Sequence, residues 1–296
     1  MIVYKSCPNC GNENISKVLS AKDYTVSGEK FEIWECKNCT LRFTQNIPEQ
    51  ENIGRYYQSE NYISHSDTKK GFVNNLYHTV RKRTLLQKKN LIETSTKKSA
   101  GNILDLGAGT GAFLNTLKNA GWNALGLEPD VTARDKASEL YGIYLKESHE
   151  LFSLTTESFD AITLWHVLEH VHQLHDYIKK FEELLKKDGK LFIAVPNYTS
   201  EDAKMYGKFW AAYDVPRHLY HFSPKAMESL LNAHGLKLEK IKPMWYDSVY
   251  VSMLSEKYKT GKSHPARAFI NGMTSNLNTV FNKAKCSSLI YIASRK

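Results

Sequence analysis

Ile103-Leu104-Asp105-Leu106-Gly107-Ala108-Gly109-Thr110-Gly111-Ala112-Phe113 is the stretch whose reading decides the fold. A short apolar run closed by alternating glycines and followed by helix-compatible residues predicts a buried strand, a tight turn and the start of a helix. Glycine is needed there on two counts. The backbone must turn sharply, and a Cβ would hold a ligand away from the peptide groups at the helix N-terminus. This is the opening unit of a nucleotide-binding α/β domain. Counted from Gly107, the same residues satisfy G-x-G-x-x-A with Ala112 last, so a dinucleotide stays open. Asp105, two residues before the first glycine, weighs against it: a carboxylate beside the turn repels a pyrophosphate and accepts hydrogen bonds from a cationic amino-acid group.

Downstream, residues 112–120 read as a helix ended by Gly121, and Trp122 to Glu128 as a second strand with an acid at its carboxyl end. In this topology that end faces the cofactor crevice, where a carboxylate accepts both ribose hydroxyls. Pro129 and Asp130 then open the next helix. Glu128 supports a nucleotide without choosing between cofactors. A short third strand is expected at Gly142-Ile-Tyr-Leu145, leading to Glu147 and Ser148. Phe159 to Val171 runs an apolar strand into H-x-x-E-H, the spacing of an inverzincin metal motif on a helix. Its place directly after a strand argues against that metal reading, and makes Glu169, His170, His172 and His175 helix and loop residues.

The spacing predicts a helix from Leu174 to Lys187, ended by Asp188-Gly189, and a strand Lys190–Val195 broken by Pro196-Asn197. The connection 198–222 is long and dense in reactive types, including Trp210, Tyr213, Asp214, Arg217, His218, Tyr220 and His221. Such loops at the carboxyl edge of a sheet carry specificity. Ser223 with Pro224 is an N-cap followed by proline at the first helical position. Two last strands are expected at 236–244 and 287–294. Between them, residues 245–286 hold helical runs at 248–258 and 266–280, a helical lid.

At the other end of the chain, Cys7-Pro-Asn-Cys10 and Cys36-Lys-Asn-Cys39 flank a β-rich segment. Two C-x-x-C turns supply four thiolates, the ligand set of one tetrahedral structural Zn²⁺. Disulfides are the alternative, and a cytosolic setting argues against them. Cys286 stands apart as a small buried side chain. The organisation expected is a zinc ribbon over 1–46, a basic helical connector over 47–100 and a catalytic domain over 101–296. The connector carries Tyr56, Tyr57 and Tyr62, then apolar positions at Phe72, Leu76, Val80, Leu85, Leu86 and Leu91 at helical spacing. Arg81, Lys82, Arg83, Lys88 and Lys89 lie on its other faces, as a solvated basic surface or as a clamp for an anionic substrate.

Asp105-x-Gly107-x-Gly109-x-Gly111 resembles motif I of the class I S-adenosylmethionine-dependent methyltransferases, and Glu128 fits their motif II. Phe-Asp-x-Ile-Thr-Leu-x-His-Val-Leu-Glu-His, residues 159–170, is similar to the quinone-type members, as is Asp-x-Pro-Arg-His-Leu-x-His-Phe-Ser, residues 214–223. The resemblance implies a Rossmann-like α/β fold with a seven-stranded sheet of order 3-2-1-4-5-7-6, strand 7 antiparallel. It implies S-adenosylmethionine as cofactor, held by Asp105, Gly107, Gly109, Gly111, Glu128 and Pro129, with the adenine met from Glu147 or Ser148 and the methionine end from Trp165 and His166. Trp210, Asp214 and Arg217 are the expected substrate contacts. Most of the catalytic work in such a transfer is positioning, with a base only where the acceptor loses a proton. His166, His218 and His221 are the candidates for that base. No carboxylate set is placed for Mg²⁺.

The 296 residues suffice for one sizeable core with a small appended module. No apolar run approaches the ~20 residues that span a bilayer, and the first residues lack a secretory apolar region, so a cytoplasmic protein without a membrane span is expected. A formal charge of +9 favours anionic partners such as nucleic acid, phosphorylated sugars or acidic lipids. The preferred expectation is methyl transfer to a small-molecule or sugar-linked acceptor. An RNA methyltransferase using the ribbon and basic helix is the alternative, and a non-catalytic cofactor-binding adaptor is a third.

Overall fold

The computed structural model describes residues 1–58, 72–262 and 264–296. Tyr62 lies outside them, and so do the side chains of the expected apolar positions Phe72, Leu76 and Val80. Three short strands open the chain: β1 (Ile15–Lys22), β2 (Lys30–Cys36) and β3 (Arg42–Thr44), paired antiparallel in sequence order. A long helix, α1 (Phe72–Thr96), leads to the α/β unit. That unit runs β4 (Asn102–Leu106), α2 (Ala112–Asn119), β5 (Asn123–Leu127), α3 (Val131–Tyr141), β6 (Phe159–Trp165), α4 (Leu174–Leu184) and β7 (Leu185–Pro196). After it come α5 (Glu201–Tyr206), β8 (Tyr220–His221), α6 (Pro224–Ala233) and β9 (Leu236–Pro243). A helical hairpin, α7 (Asp247–Thr260) and α8 (Pro265–Phe281), precedes the last strand, β10 (Ser288–Arg295).

The central sheet has the order β5-β4-β6-β7-β10-β9. β4 pairs parallel with β5 and β6, β6 pairs parallel with β7, and β10 is antiparallel to both its neighbours. Alternation along β4 explains why it is buried on both faces from Ile103 to Leu106. Leu104 and Leu106 join one core with Leu127, Ile162 and Leu164, while Ile103 joins another with Ile92, Phe113, Leu117 and Trp122. Successive side chains of a strand point to opposite faces, and helices cover both faces here.

Two expectations are corrected. Among the described residues the central sheet has six strands: residues 142–145 add none, and Lys146 just beyond them makes a single bridge with Leu127. Gly142 caps α3 in the left-handed region and Tyr144 is 84% exposed, which leaves Ile143 and Leu145, whose Cδ2 lies over Gly126 of β5, as the inward side chains. The other strands keep the expected order. The fourth helix also stops at Leu184, and β7 begins at once, pairing Leu185 with Phe159 before a bulge resumes at Lys190 with Ala161. The two-helix lid forms where expected.

The N-terminal segment does not stand apart. β8, from the connection 198–222, pairs antiparallel with β3, so the second sheet reads β1-β2-β3-β8. The Tyr198 hydroxyl donates to Thr40 O (2.6 Å), the Thr44 hydroxyl to His218 O (2.7 Å), and the Asn9 amide to Ala226 O (3.0 Å). Cys7, Cys36, Cys39, Leu41, Phe43 and Ile47 belong to the same apolar cluster as Leu104 and Ile162. One core therefore serves both sheets.

Candidate functional site

The ends of β4 and β5 bring two carboxylates to the glycine turn. Asp105 is 2% exposed and accepts from the Thr163 hydroxyl at 2.6 Å. Burial pushes its carboxyl up to about 7, against the pull of Thr163 and Lys88, with the charge of Glu128 adding to the rise. Glu128 is also buried; burial raises it too, opposed by the N–H groups of Asp130 (3.0 Å) and Gly109 (2.8 Å), which donate to its two oxygens. Two buried acids in mutual repulsion form a site that a cation and hydroxyl donors would satisfy. The turn supplies the room. Gly109 has φ +53 with nothing within 4 Å of where a Cβ would stand, and Gly107, at φ +71, has no room for one because Val167 closes to 2.4 Å.

A cation-accepting wall stands at the end of β6. The Trp165 and Phe113 rings pack edge to face with centroids 5.7 Å apart, and Lys88 Nζ from α1 lies 4.2 Å from the Trp165 centroid and 5.8 Å from that of Phe113. Burial holds the Lys88 ammonium below its ordinary range, opposed by Asp105 and Asp247. Spacing alone had put Lys88 on a solvated or substrate-clamping face; it turns inward instead.

His166 follows directly, at φ +59, a conformation that a non-glycine residue holds only when its surroundings fix it. Its Nδ1 lies 3.2 Å from Glu169 Oε1 and its Nε2 2.9 Å from Asp247 Oδ2 on the lid. Burial favours the neutral ring, but Asp247 and then Glu169 outweigh it and carry the pKa up to about 10. The imidazolium thus ties the β6 turn to the lid and has no lone pair for a proton near pH 7. Among the described residues Glu169 Oε2 is buried without a hydrogen-bond partner, and the ligand atoms of Glu169, His170 and His218 lie within 4.8 Å of one another. The sequence reading missed this mixed set because its third member sits far along the chain. His170, at hydrogen-bond distance from the Tyr57 hydroxyl (3.0 Å), is driven down to about 4 by burial and then by His218.

The remaining expected residues divide. Pro129 follows Glu128, and its carbonyl accepts from Arg134 at 2.8 Å. Glu147 faces Arg134 (3.2 Å) and is half exposed, while Ser148 opens a short 3-10 turn beside the crevice. Trp210 is 2% exposed and donates to Asp202 at 2.8 Å, so its ring fills the core under the loop. Arg217 is enclosed by Asp214 (2.5 Å), Asp23 (3.1 Å) and the Tyr56 carbonyl (2.7 Å), and its fork is spent on joining the N-terminal sheet to the loop. Asp214 is drawn below its ordinary range by Arg217 despite burial. His221 packs against Tyr213 with its Nε2 3.1 Å from the Thr44 hydroxyl, and burial drives it well below its ordinary value. His218 meets His170 edge to face, centroids 4.6 Å apart, and its Nδ1 lies 2.9 Å from the Ala212 carbonyl oxygen.

The four N-terminal cysteines converge. Cys7 and Cys39 sulfurs are 3.5 Å apart, Cys10 and Cys36 sulfurs 3.6 Å, and all four lie within 4.8 Å of one another as free thiols. A tetrahedron of thiolates at ~2.3 Å from zinc has edges of about 3.8 Å, so the cluster fits one ion. The Asn9 N–H donates to Cys7 Sγ at 3.4 Å, orienting one of the four sulfurs from outside.

Residues 77–241, more than half of the chain, match the family described as methyltransferase domain. An uncharacterized methyltransferase of Anoxybacillus flavithermus is 29% identical over 157 residues, 49% of this chain and 74% of that protein. The mitochondrial ubiquinone biosynthesis O-methyltransferase of Rattus norvegicus is 28% identical over 181 residues, 53% of this chain and 52% of that protein. The chain spans about half the length of such mitochondrial relatives. In fold it is similar to the magnesium protoporphyrin IX methyltransferase of Synechocystis, solved with bound S-adenosylhomocysteine: TM-score 0.53 at 14% identity, covering 83% of this chain and 100% of that one. On its glycine turn, its two strand-end acids and this match, the chain belongs to the class I S-adenosylmethionine-dependent methyltransferases.

Proposed function

We propose that the protein methylates a small-molecule or sugar-linked acceptor, with S-adenosylmethionine as donor. The observation that carries the reading is the pair of buried acids, Asp105 and Glu128, converging on the open turn at Gly109. When bound, the cofactor supplies an electrophilic methyl group on a sulfonium. Glu128 is placed to accept from ribose hydroxyls, and Asp105 from the amino group. Trp165 and Phe113 offer aromatic faces to positive charge. Lys88 is the ammonium nearest these groups, and its part is to meet the carboxylate. His166, already charged, fixes the turn and the lid; His218 is the histidine left to take a proton where the acceptor must lose one. Lys88→Ala is expected to raise the dissociation constant of S-adenosylhomocysteine about tenfold, the worth of one hydrogen bond to a charged group; titration calorimetry checks it, and an unchanged constant removes Lys88 from the site.

A structural role for the ribbon favours this acceptor class over RNA. The ribbon's β3 edge is paired to β8, and Asn9 and Thr40 are bonded to the catalytic unit. The ubiquinone-biosynthesis relatives, whose names describe O-methylation, point the same way. We infer one Zn²⁺ on Cys7, Cys10, Cys36 and Cys39. Stripping it with a strong chelator is expected to lower the midpoint of a single melting transition of the whole chain, because one core serves both sheets; a separate early transition with an unmoved main one would contradict this. The acceptor class is tested by methyl-labelled cofactor offered with a small-molecule extract and, separately, with RNA. Label in the low-mass fraction is expected, and label that only RNase releases would overturn the assignment.

A further inference from the structure

The lid hairpin is built inside out. Along α7 the buried positions are Ser248, Ser252 and Ser255, each 0% exposed, while Tyr246, Tyr250 and Met253 face outward. Along α8 the buried positions include Ser275 and Thr279, and the outward stripe is Phe269, Ile270, Met273 and Leu277, with Phe269 at 55%, Ile270 at 62% and Leu277 at 59% exposed. The spacings of 4 and 3 in α7, and of 1, 3 and 4 in α8, put each set on one helix face. The buried hydroxyls of Ser248, Ser255 and Ser275 turn to the catalytic unit, to Cys286 Sγ, the Ala211 N–H and Asp202, and between the helices the close approach is made at Gly272. A Cβ on Gly272 would stand 2.8 Å from Val249 Cα, so the two backbones approach closely. Water-facing helices show the reverse pattern, and small residues between helices with apolar residues outside are the habit of helices in lipid.

Neither helix crosses a bilayer: among the described residues no helix is long and apolar enough. The charges of the hairpin decide what covers it. Lys257, Lys259 and Lys262 are exposed at the end of α7 and the turn beyond it. The two acids of the segment, Asp247 and Glu256, are directed to His166 and to a 1%-exposed position near Arg267. The outward surface is therefore apolar with a wholly basic rim. A two-fold contact with a second copy would set like charge against like charge, whereas an anionic lipid headgroup layer complements both parts.

We propose that the α7–α8 hairpin docks the protein on an anionic membrane surface, its Phe269–Leu277 stripe lying in the headgroup–acyl boundary. The full-length chain is floated with vesicles of phosphatidylcholine alone and of phosphatidylcholine mixed with phosphatidylglycerol. Binding to the mixed vesicles is expected, falling at least about tenfold for Phe269→Ser with Ile270→Ser, since each side chain removed forfeits its apolar transfer. Lys257→Glu with Lys259→Glu should weaken it comparably, and high salt should do the same. Both pairs are exposed and none of the four is among the residues assigned to the cofactor, so their thermal shift with S-adenosylhomocysteine should match the parent and separate a docking defect from misfolding. No partition onto either vesicle, or a dimer in solution that the serine pair dissolves, would overturn the proposal.

Discussion

Arg217→Ala is expected to destabilise the protein by about 3–5 kcal/mol, the range for removing one partner of a buried ion pair. Arg217 is 1% exposed and its guanidinium donates to Asp214, to Asp23 and to the Tyr56 carbonyl. These partners come from three separate stretches: the turn after β1, the connector and the 198–222 loop. Without the arginine, Asp23 keeps the N–H groups of Thr25, Val26 and Ser27, while Asp214 loses its strongest partner in an enclosed site. Urea denaturation of parent and variant measures the loss, and a difference under 1 kcal/mol would show that the cluster does not hold the N-terminal sheet to the loop. Burial raises both acids, but the Ser27 N–H and Arg217 outweigh it for Asp23, and Arg217 for Asp214, so both titrate below their ordinary range. Their contribution is thus present above the ordinary carboxylate value of about 4 and is lost as pH falls through the lower folded values. The variant should show a flatter acid limb.

Asp105→Asn should weaken S-adenosylhomocysteine binding about tenfold to a hundredfold while leaving the fold intact or firmer. The shape is kept and a buried acid in repulsion with Glu128 is removed. The pH dependence separates this from a packing effect. With its carboxyl at about 7, Asp105 in the free protein is increasingly protonated below neutrality. Affinity for S-adenosylhomocysteine, whose ammonium group Asp105 meets, should therefore decline by up to about tenfold per pH unit below 7 in the parent and stay level in the variant. Stability runs the opposite way: the folded state binds the proton more tightly than the unfolded one, so the contribution of Asp105 falls as pH rises from about 4 to 7. Glu128→Ala should also weaken binding, and unchanged affinity in both variants would remove the acids from the cofactor site.

The glycine turn, Asp105 and Glu128 were legible in the sequence because strand, turn and helix N-terminus lie within a dozen residues, and local chemistry there is self-contained. The sheet order was legible too, except at 142–145, where Gly142 is spent on capping α3, Tyr144 faces solvent, and pairing with β5 is confined to the bridge of Lys146 with Leu127. Residues defined by distant partners were not legible. His166 looked like a base until Asp247, 81 positions away, and Glu169 were seen on its two nitrogens. Trp210 and Arg217 looked like substrate contacts because reactive side chains in a long loop suggest a ligand; here Asp202 and the N-terminal acid Asp23 absorb them. Lys88 sat among basic neighbours, and only the packing of α1 turns it to Trp165.

Thermal unfolding with S-adenosylhomocysteine and, in parallel, with NAD tests the central claim most directly. A ligand at a hundred times its dissociation constant adds about 2.7 kcal/mol, and each kcal/mol moves the midpoint by about 2–4 °C in large domains. The two buried acids at the glycine turn predict a rise of several degrees with S-adenosylhomocysteine and none with NAD. A rise with NAD alone would mean that Asp105 tolerates a pyrophosphate, and the methyl-transfer assignment would fall.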